Sequence, residues 1–223
     1  MDTGAMSGGR KGSAVFDIVL RGRAAHAGRA KDEGRSALEA AAELVVGLEG
    51  LNGQRDGVTI NVGSIDGGGP VNIVPDLAIV RFGARAPDAD AAAWATTEVQ
   101  RLFAHATARD GIHGHLHGGF YRPPKPRNTA QQALFDAVRA TGQAIGLDLV
   151  FEDTGGVCEG NNIFAAGVPN VDTLGVMGGR IHSNEEYVLT NSFPERATLS
   201  TLLLNRLADG RLDGAGIKAL MDS

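Results

Sequence analysis

The strongest constraint on the fold is a switch of hydrophobic period that occurs twice between residues 13 and 121. Ala14 to Leu20 alternates, with Phe16, Ile18 and Leu20 on one face and Val15, Asp17 and Val19 on the other, as a strand does. A polar, glycine-bearing loop from Arg21 to Gly34 carries His26. From Arg35 to about Leu51, Leu38, Ala41, Ala42, Val45 and Leu48 fall at helical spacing, which predicts an amphipathic helix. Val58 to Ile65 returns to period two. Gly67-Gly68-Gly69-Pro70 then breaks the chain, and Val71 to Ala84 predicts an extended segment interrupted near Pro75-Asp76. Pro87-Asp88 opens a second helix with Ala95, Val99, Leu102, Phe103 and Ala106 on its apolar side, and Ile112 to Phe120 predicts a fourth strand. The order β-α-β-β-α-β is the split βαβ, ferredoxin-like arrangement, with two helices on one face of an antiparallel sheet. Its other face is left open, which suits a partner subunit.

The rest of the chain has a different character. Residues 1–12 are small and polar and predict an N-terminal arm or linker; residues 13–121 are the β-α-β-β-α-β domain. Arg122-Pro123-Pro124-Lys125-Pro126 predicts a stiff crossing that opens a second region, 122–223. There Thr129 and Gln132 predict a capping box before a helix that ends at Gly146. A strand over Asp148–Glu152, a helix over Asn161–Ala166 and a strand over Val168–Leu174 follow. Ser192 and Glu195 predict a second capping box, with Leu199, Leu202, Leu203 and Leu207 down one helix face. The class is α/β, an α+β domain followed by an α/β region with too few strands for a complete doubly wound sheet. An unpartnered apolar surface near Val168–Leu174 is therefore expected.

Composition excludes several functions. The net charge of −5 gives no electrostatic footprint for nucleic acid. No apolar run approaches a membrane span, and the first residues lack the apolar centre of a secretory signal. The single cysteine, Cys158, excludes an internal disulfide and fits a reducing compartment, so a cytoplasmic protein is expected.

Two histidines stand in loops between regular elements, where scaffolds present chemistry. His26 lies in Arg23-Ala24-Ala25-His26-Ala27-Gly28, and His182 follows Gly178-Gly179 and precedes Glu185-Glu186-Tyr187. Taken singly, each reads more readily as a solvated loop histidine. His113, His115 and His117 alternate and share one strand face. Three such imidazoles could hold a metal weakly, and a solvated or subunit-facing stripe is the preferred reading.

Seven stretches, GRKGS, RGRAAHAG, EGRSALEAA, TINVGSIDGG, VNIVPD, GGVCEGNN and GGRIHSNEEYV, together resemble the co-catalytic zinc amidohydrolases. That family includes carboxypeptidase G, aminoacylases, acetylornithine deacetylase and succinyl-diaminopimelate desuccinylase. The resemblance runs in the family's order over nearly the whole chain. It implies a lid, or dimerisation, domain followed by the C-terminal part of a two-zinc catalytic domain, with cobalt or manganese as possible alternative metals. It also implies a homodimer paired through the lid and a peptide or N-acyl amino acid substrate.

By the same resemblance His26 stabilises the tetrahedral oxyanion in a partner's active site, a task for an imidazole donor. Asn72 and Arg85 hold the substrate carboxylate, for which a guanidinium is suited. Gly155 and Gly156 form a turn beside the substrate, and His182 is a zinc ligand. On residue type alone, Arg85 also reads as a strand-end ion pair and Asn72 as a turn former. Glu159 stands where the family has aspartate, which lengthens the reach of that carboxylate.

The family's His-x-Asp stretch and its upstream glutamate pair have no counterpart here: the sole Glu-Glu pair follows His182. One matched ligand cannot hold two metals. The expectation is an N-terminally truncated zinc-dependent metallopeptidase, inactive alone. The alternative is a non-catalytic dimerisation or interaction module derived from that family.

Overall fold

The protein was analysed as a computed structural model, which describes residues 4–222. The chain divides into two compact units, Gly12–Pro124 and the residues on either side of it. β1 (Met6–Arg10) opens the flanking unit, and β2 (Gly12–Arg21) opens the inner one.

In the inner unit β2 is followed by α1 (Ala37–Glu49), β3 (Thr59–Gly67), β4 (Leu77–Ala86), α2 (Ala89–Thr107) and β5 (His113–Arg122). The sheet order is β3-β4-β2-β5 and every pairing is antiparallel. Phe16, Ile18 and Leu20 of β2 join Val80 and Phe82 of β4 in the core, beneath Ala40, Ala41, Leu44 and Leu48 of α1 and Val99 of α2. Phe16 lies opposite Phe82 in register, and their rings stack with centroids 5.1 Å apart, a contact that adds to simple burial. Ser36 and Asp88 cap the two helices, accepting from the backbone of Glu39 and Ala91. A Cβ on Gly47, inside α1, would sit 2.8 Å from Leu102 Cδ2. Glycine there lets α2 approach, against a cost of roughly 1 kcal/mol in helix propensity.

The open face of the sheet carries charged and imidazole side chains. Asp17 and Asp66 flank Arg81 across it, and His113, His115 and His117 stand exposed along edge strand β5. The more apolar unpartnered surface is at the opposite edge, where Leu38, Val46 and Ile65 of α1 and β3 are exposed, Val46 by 75%.

The flanking unit contains β1, α3 (Thr129–Gln143), β6 (Phe151–Thr154), α4 (Glu159–Ala165), β7 (Gly178–Gly179), β8 (Tyr187–Val188), α5 (Ser192–Ala208) and α6 (Gly214–Ala219). Residues 6–10, expected as part of an arm, are a strand instead. β1 pairs in parallel with β6, and Met6 is buried with Phe135, Val138, Phe151, Leu199 and Leu203. Met1 to Thr3 of that predicted arm lie outside the described residues. The break between units falls at Pro124–Lys125, inside the proline-rich crossing.

Three local expectations also shift. Asn128, one residue before Thr129, caps α3 by accepting from Gln131 N–H. Asn191 precedes α5, and Ser192 is buried, accepting from Met177 N–H and donating to the Leu189 carbonyl. Val168–Leu174 is irregular, because its side chains make the bonds a ladder would make: Ser7 N–H donates to Thr173 Oγ1 at 2.8 Å, and Asp172 turns into an ion cluster. Apolar surface is present there as a groove of about 380 Å³, walled by Val138, Val171, Leu174, Leu203, Leu207 and Ile217.

Candidate functional site

The His26 loop is held by a strip of backbone from the VNIVPD segment. Ala27 N–H donates to the Asn72 carbonyl and Val74 N–H to the Ala25 carbonyl, both at 2.9 Å, which places His26 opposite Ile73 in a short antiparallel bridge. The Asp76 and Pro75 carbonyls accept from Gly22 and Ala37, tying the same segment to the end of β2 and the start of α1. Gly22 and Gly34 are required by packing: a side chain at Gly22 would strike the Arg35 carbonyl, and one at Gly34 would come within 2.8 Å of Val74. His26 and Asn72, 46 positions apart in sequence, thus share one exposed tip.

The ring of His26 is oriented as well. Gly28 N–H donates to His26 Nδ1 at 3.2 Å, so the neutral ring carries its proton on Nε2. The side chain is exposed, which leaves that N–H free to donate outward.

Arg85 is not brought to this tip. It lies near the end of β4, eight residues beyond Leu77, where the tip begins, and its Nη1 donates to Ser13 Oγ. Eight strand residues span about 26 Å. One small ligand cannot touch both ends of the strand.

In the flanking unit the Gly155–Gly156 turn follows β6 and leads into α4. Neither glycine has positive φ, and no protein atom closely crowds either position. What fixes the turn is a buried ion cluster that sequence reading missed. Arg10 grips both oxygens of Asp172 at 2.8 Å and donates through Nη1 to the Gly156 carbonyl at 3.1 Å. Lys125 has no exposed surface, and its Nζ reaches Asp172 Oδ2 at 2.8 Å and both oxygens of Asn170. Cys158 Sγ donates to the same Asp172 oxygen at 3.0 Å. Gly160 is needed beside them, since a Cβ there would meet Asp172 Oδ2 at 2.5 Å. Asn161, also buried, accepts from Cys158 N–H and donates to the Lys11 carbonyl.

Burial pushes the Asp172 carboxyl up, but hydrogen bonds from Arg10, Lys125 and Cys158 and the charge of Lys125 outweigh it and hold it at about 2. Burial pushes the Cys158 thiol up, and donation to Asp172 adds to this. Cys158 is therefore a neutral thiol, donating to Asp172 and capping α4 by accepting from Gly160 N–H, rather than a nucleophile. Glu159, the first residue of α4, is exposed. The one sequence signal for the cluster was a lysine set between prolines.

His182 sits on a strained turn closed by the β7–β8 ladder. A side chain on Gly178 would collide with the Tyr187 carbonyl, so glycine is needed for that ladder to form. Arg180 and His182 take φ of 56° and 67°, a conformation costing L-residues roughly 1–2 kcal/mol each. Ser183 Oγ donates to the Arg180 carbonyl at 2.7 Å, and Arg180 Nη1 pairs with Glu185 at 2.6 Å. His182 is exposed on this turn, and its neighbour Ile181 borders a cavity of about 210 Å³ together with Glu186 and Tyr187. Non-glycine residues at positive φ cluster at functional sites.

Among the described residues, no three His, Cys, Asp or Glu side chains come together as a metal site. An imidazole can bind a metal, but among the described residues no donors join His182 to complete a centre for one. Among the described residues, no helix is long and apolar enough to cross a membrane.

Comparison with known proteins gives these features a context. Residues 8–111 match the peptidase dimerisation domain of the M20 family. The chain is 29% identical over 214 residues to carboxypeptidase G2 of Pseudomonas sp. (strain RS-16), covering 92% of this chain and 50% of that protein. It is 33% identical over 100 residues to indole-3-acetyl-aspartic acid hydrolase of Enterobacter agglomerans, covering 44% of this chain and 21% of that protein. In fold it resembles the aminopeptidase PepT of Bacillus cereus, with a TM-score of 0.78 at 22% identity over 92% of this chain and 54% of that one. It also resembles YxeP of Bacillus subtilis, described as a dinuclear metal-binding peptidase, with a TM-score of 0.66 at 15% identity over 90% and 52% of the two chains. The chain spans half the length of carboxypeptidase G2, and a smaller share of the other curated relatives. The inner unit thus matches a peptidase dimerisation domain, and the chain as a whole is similar, in sequence to carboxypeptidase G2 and in fold to solved peptidases, over most of its length.

Proposed function

We propose that this chain supplies the oxyanion-stabilising and carboxylate-recognising groups of a metal-dependent hydrolase. Its reaction is cleavage of an amide bond, in a peptide or an N-acyl amino acid, next to a free carboxylate. The observation that carries this reading is the shared tip of His26 and Asn72, with Gly28 N–H bonded to Nδ1 of the exposed His26 ring and Nε2 left as the donor. A fixed N–H donor suits an oxyanion that develops as the amide carbonyl is attacked. Arg85 is the carboxylate partner, and Gly155 and Gly156 form the open turn beside the substrate. Because about 26 Å of strand separates Arg85 from the tip, the two ends of one β4 serve different substrate molecules, as they can in a dimer.

The dimer forms through the lid, and the β3–α1 edge, with Val46, Leu38 and Ile65 exposed, is the surface that fits a second copy. The chain acts in the cytoplasm. In such a hydrolase zinc, or cobalt or manganese in its place, activates the attacking water, two ions to a complete site. His182 is this chain's ligand, and with the donor set incomplete no water-activating step is assigned to the residues described.

That incomplete set favours a second reading, a dimerisation module that works by association alone. The test compares N-acyl amino acids with their carboxyl-amidated forms, using protein supplied with Zn²⁺, Co²⁺ or Mn²⁺. Hydrolysis of the free acid only, falling about 10²–10³-fold in His26→Ala, supports the hydrolase. A stable dimer in sedimentation equilibrium that neither hydrolyses nor binds either form supports the module.

A further inference from the structure

We propose that His115 and His117 form a two-imidazole chelate for a borderline divalent transition ion, Cu²⁺, Ni²⁺ or Zn²⁺, on the open face of the sheet. The two residues are i and i+2 on edge strand β5, so their side chains leave the same face. Both are exposed, and their rings already lie side by side, with centroids 6.2 Å apart and planes inclined by 29°. A metal held by one nitrogen of each ring at about 2.1 Å, in tetrahedral geometry, needs the centroids roughly 5 Å apart. About an ångström of closure is required. Exposed imidazoles reach that by small side-chain rotations, without moving the strand.

The groups facing this pair choose it over the third histidine. Across the β2–β5 pairing, Asp17 lies opposite His117, Val19 opposite His115 and Arg21 opposite His113. Beyond them on β4 and β3, Arg81 is flanked by Asp17 and Asp66, so that group of three carries a net charge of −1 next to His117. A cation is therefore favoured at the His115–His117 end and opposed by the Arg21 guanidinium at His113. Asp17 is already engaged by Arg81 at 3.1 Å, so water completes the coordination. This is consistent with no third protein ligand converging there. Imidazole donors suit Cu²⁺, Ni²⁺ and Zn²⁺ and discriminate against Mg²⁺ and Ca²⁺, with Cu²⁺ bound most tightly.

The test is calorimetric titration of the untagged full chain with the chloride salts of Cu²⁺, Ni²⁺, Zn²⁺ and Mg²⁺, with circular dichroism to verify folding of each variant. The expected result is one equivalent of Cu²⁺ bound more tightly than Zn²⁺, and no Mg²⁺. Affinity should fall by roughly tenfold or more in His115→Ala and in His117→Ala. It should stay within about twofold of the parent in His113→Ala, which removes no imidazole of the chelate. Absence of Cu²⁺ and Ni²⁺ binding by the parent, full affinity in the His115→Ala/His117→Ala double variant, or loss confined to His182→Ala would each overturn the proposal.

Discussion

The two units solve the same problem, holding a candidate site turn still, by different means. The inner unit holds the His26 tip with backbone hydrogen bonds above an apolar core, and its ion pairs stay on the surface: Asp66 and Arg81 are both about half exposed. The flanking unit holds the Gly155–Gly156 turn with buried charge, in which Asp172 is 10% exposed and Lys125 not at all. Surface pairs are worth little. A buried cluster that loses one member leaves uncompensated charge in a poorly solvated place, and that is costly. Asp172→Ala is therefore expected to destabilise its unit by about 3–5 kcal/mol, whereas Asp66→Ala should cost under about 1 kcal/mol. Trp94, the sole tryptophan, lies in α2 and reports on the inner unit. In urea, Asp172→Ala should shift the circular dichroism transition while leaving that of Trp94 fluorescence in place. Equal shifts in both signals would mean that the two units unfold as one, and would remove the contrast.

Acid sharpens the same contrast. Asp172 is held at about 2 when folded and returns to near 3.8 when unfolded. A depressed carboxyl pKa stabilises the fold fully above the unfolded value and loses that contribution as pH falls through the folded one. Between pH 4 and pH 2 the flanking unit should lose about 2 kcal/mol from this residue, at 1.36 kcal/mol per pH unit. Melting followed by circular dichroism over that range checks it. In Asp172→Asn this part of the pH dependence should vanish.

What could be read from sequence follows the same division. β2, α1 and α2 were legible because each buries one face against its own unit, so period two or 3.6 is written into consecutive residues. β1 was not. MSGGR has no alternation, and it is a strand only because it pairs with residues 145 positions away, Met6 opposite Phe151. Gly8 is small because Arg127 and Asp153 crowd it, again a distant cause. Val168–Leu174 misled because the run looked apolar, although Asp172 and Thr173 were committed to side-chain bonds across the unit. The site residues were visible singly through resemblance. Their grouping, His26 with Asn72 and apart from Arg85, needed the non-local bridge between residues 25–27 and 72–74.

Helix caps provide a smaller and more even comparison, one in each unit. Ser36 accepts from Glu39 N–H at 3.1 Å, and Asn128 accepts from Gln131 N–H at 2.9 Å. Asn128 takes the role expected of Thr129 because asparagine ranks above threonine as an N-cap. Alanine at either position should cost about 1 kcal/mol. Ser36→Ala should appear in the Trp94 transition and Asn128→Ala in the circular dichroism transition alone. Thr129→Ala should be nearly silent.

The smallest effect expected is a gain. His182 holds φ at 67°, where glycine is unstrained, and its exposed side chain contributes little packing to offset that. If the strain serves only to present the imidazole, His182→Gly should raise the stability of the flanking unit. The gain is limited to roughly 1 kcal/mol, because glycine also frees the unfolded chain. Arg180→Gly would relieve similar strain but lose the ion pair to Glu185, so its net effect should be smaller. A His182→Gly variant that is more stable and binds Zn²⁺ less well would mark this turn as one where stability is given up for function. A variant no more stable than the parent would mean that the β7–β8 ladder and the Ser183 bonds already absorb the strain, and the turn would then be held, like the His26 tip, without a cost in stability.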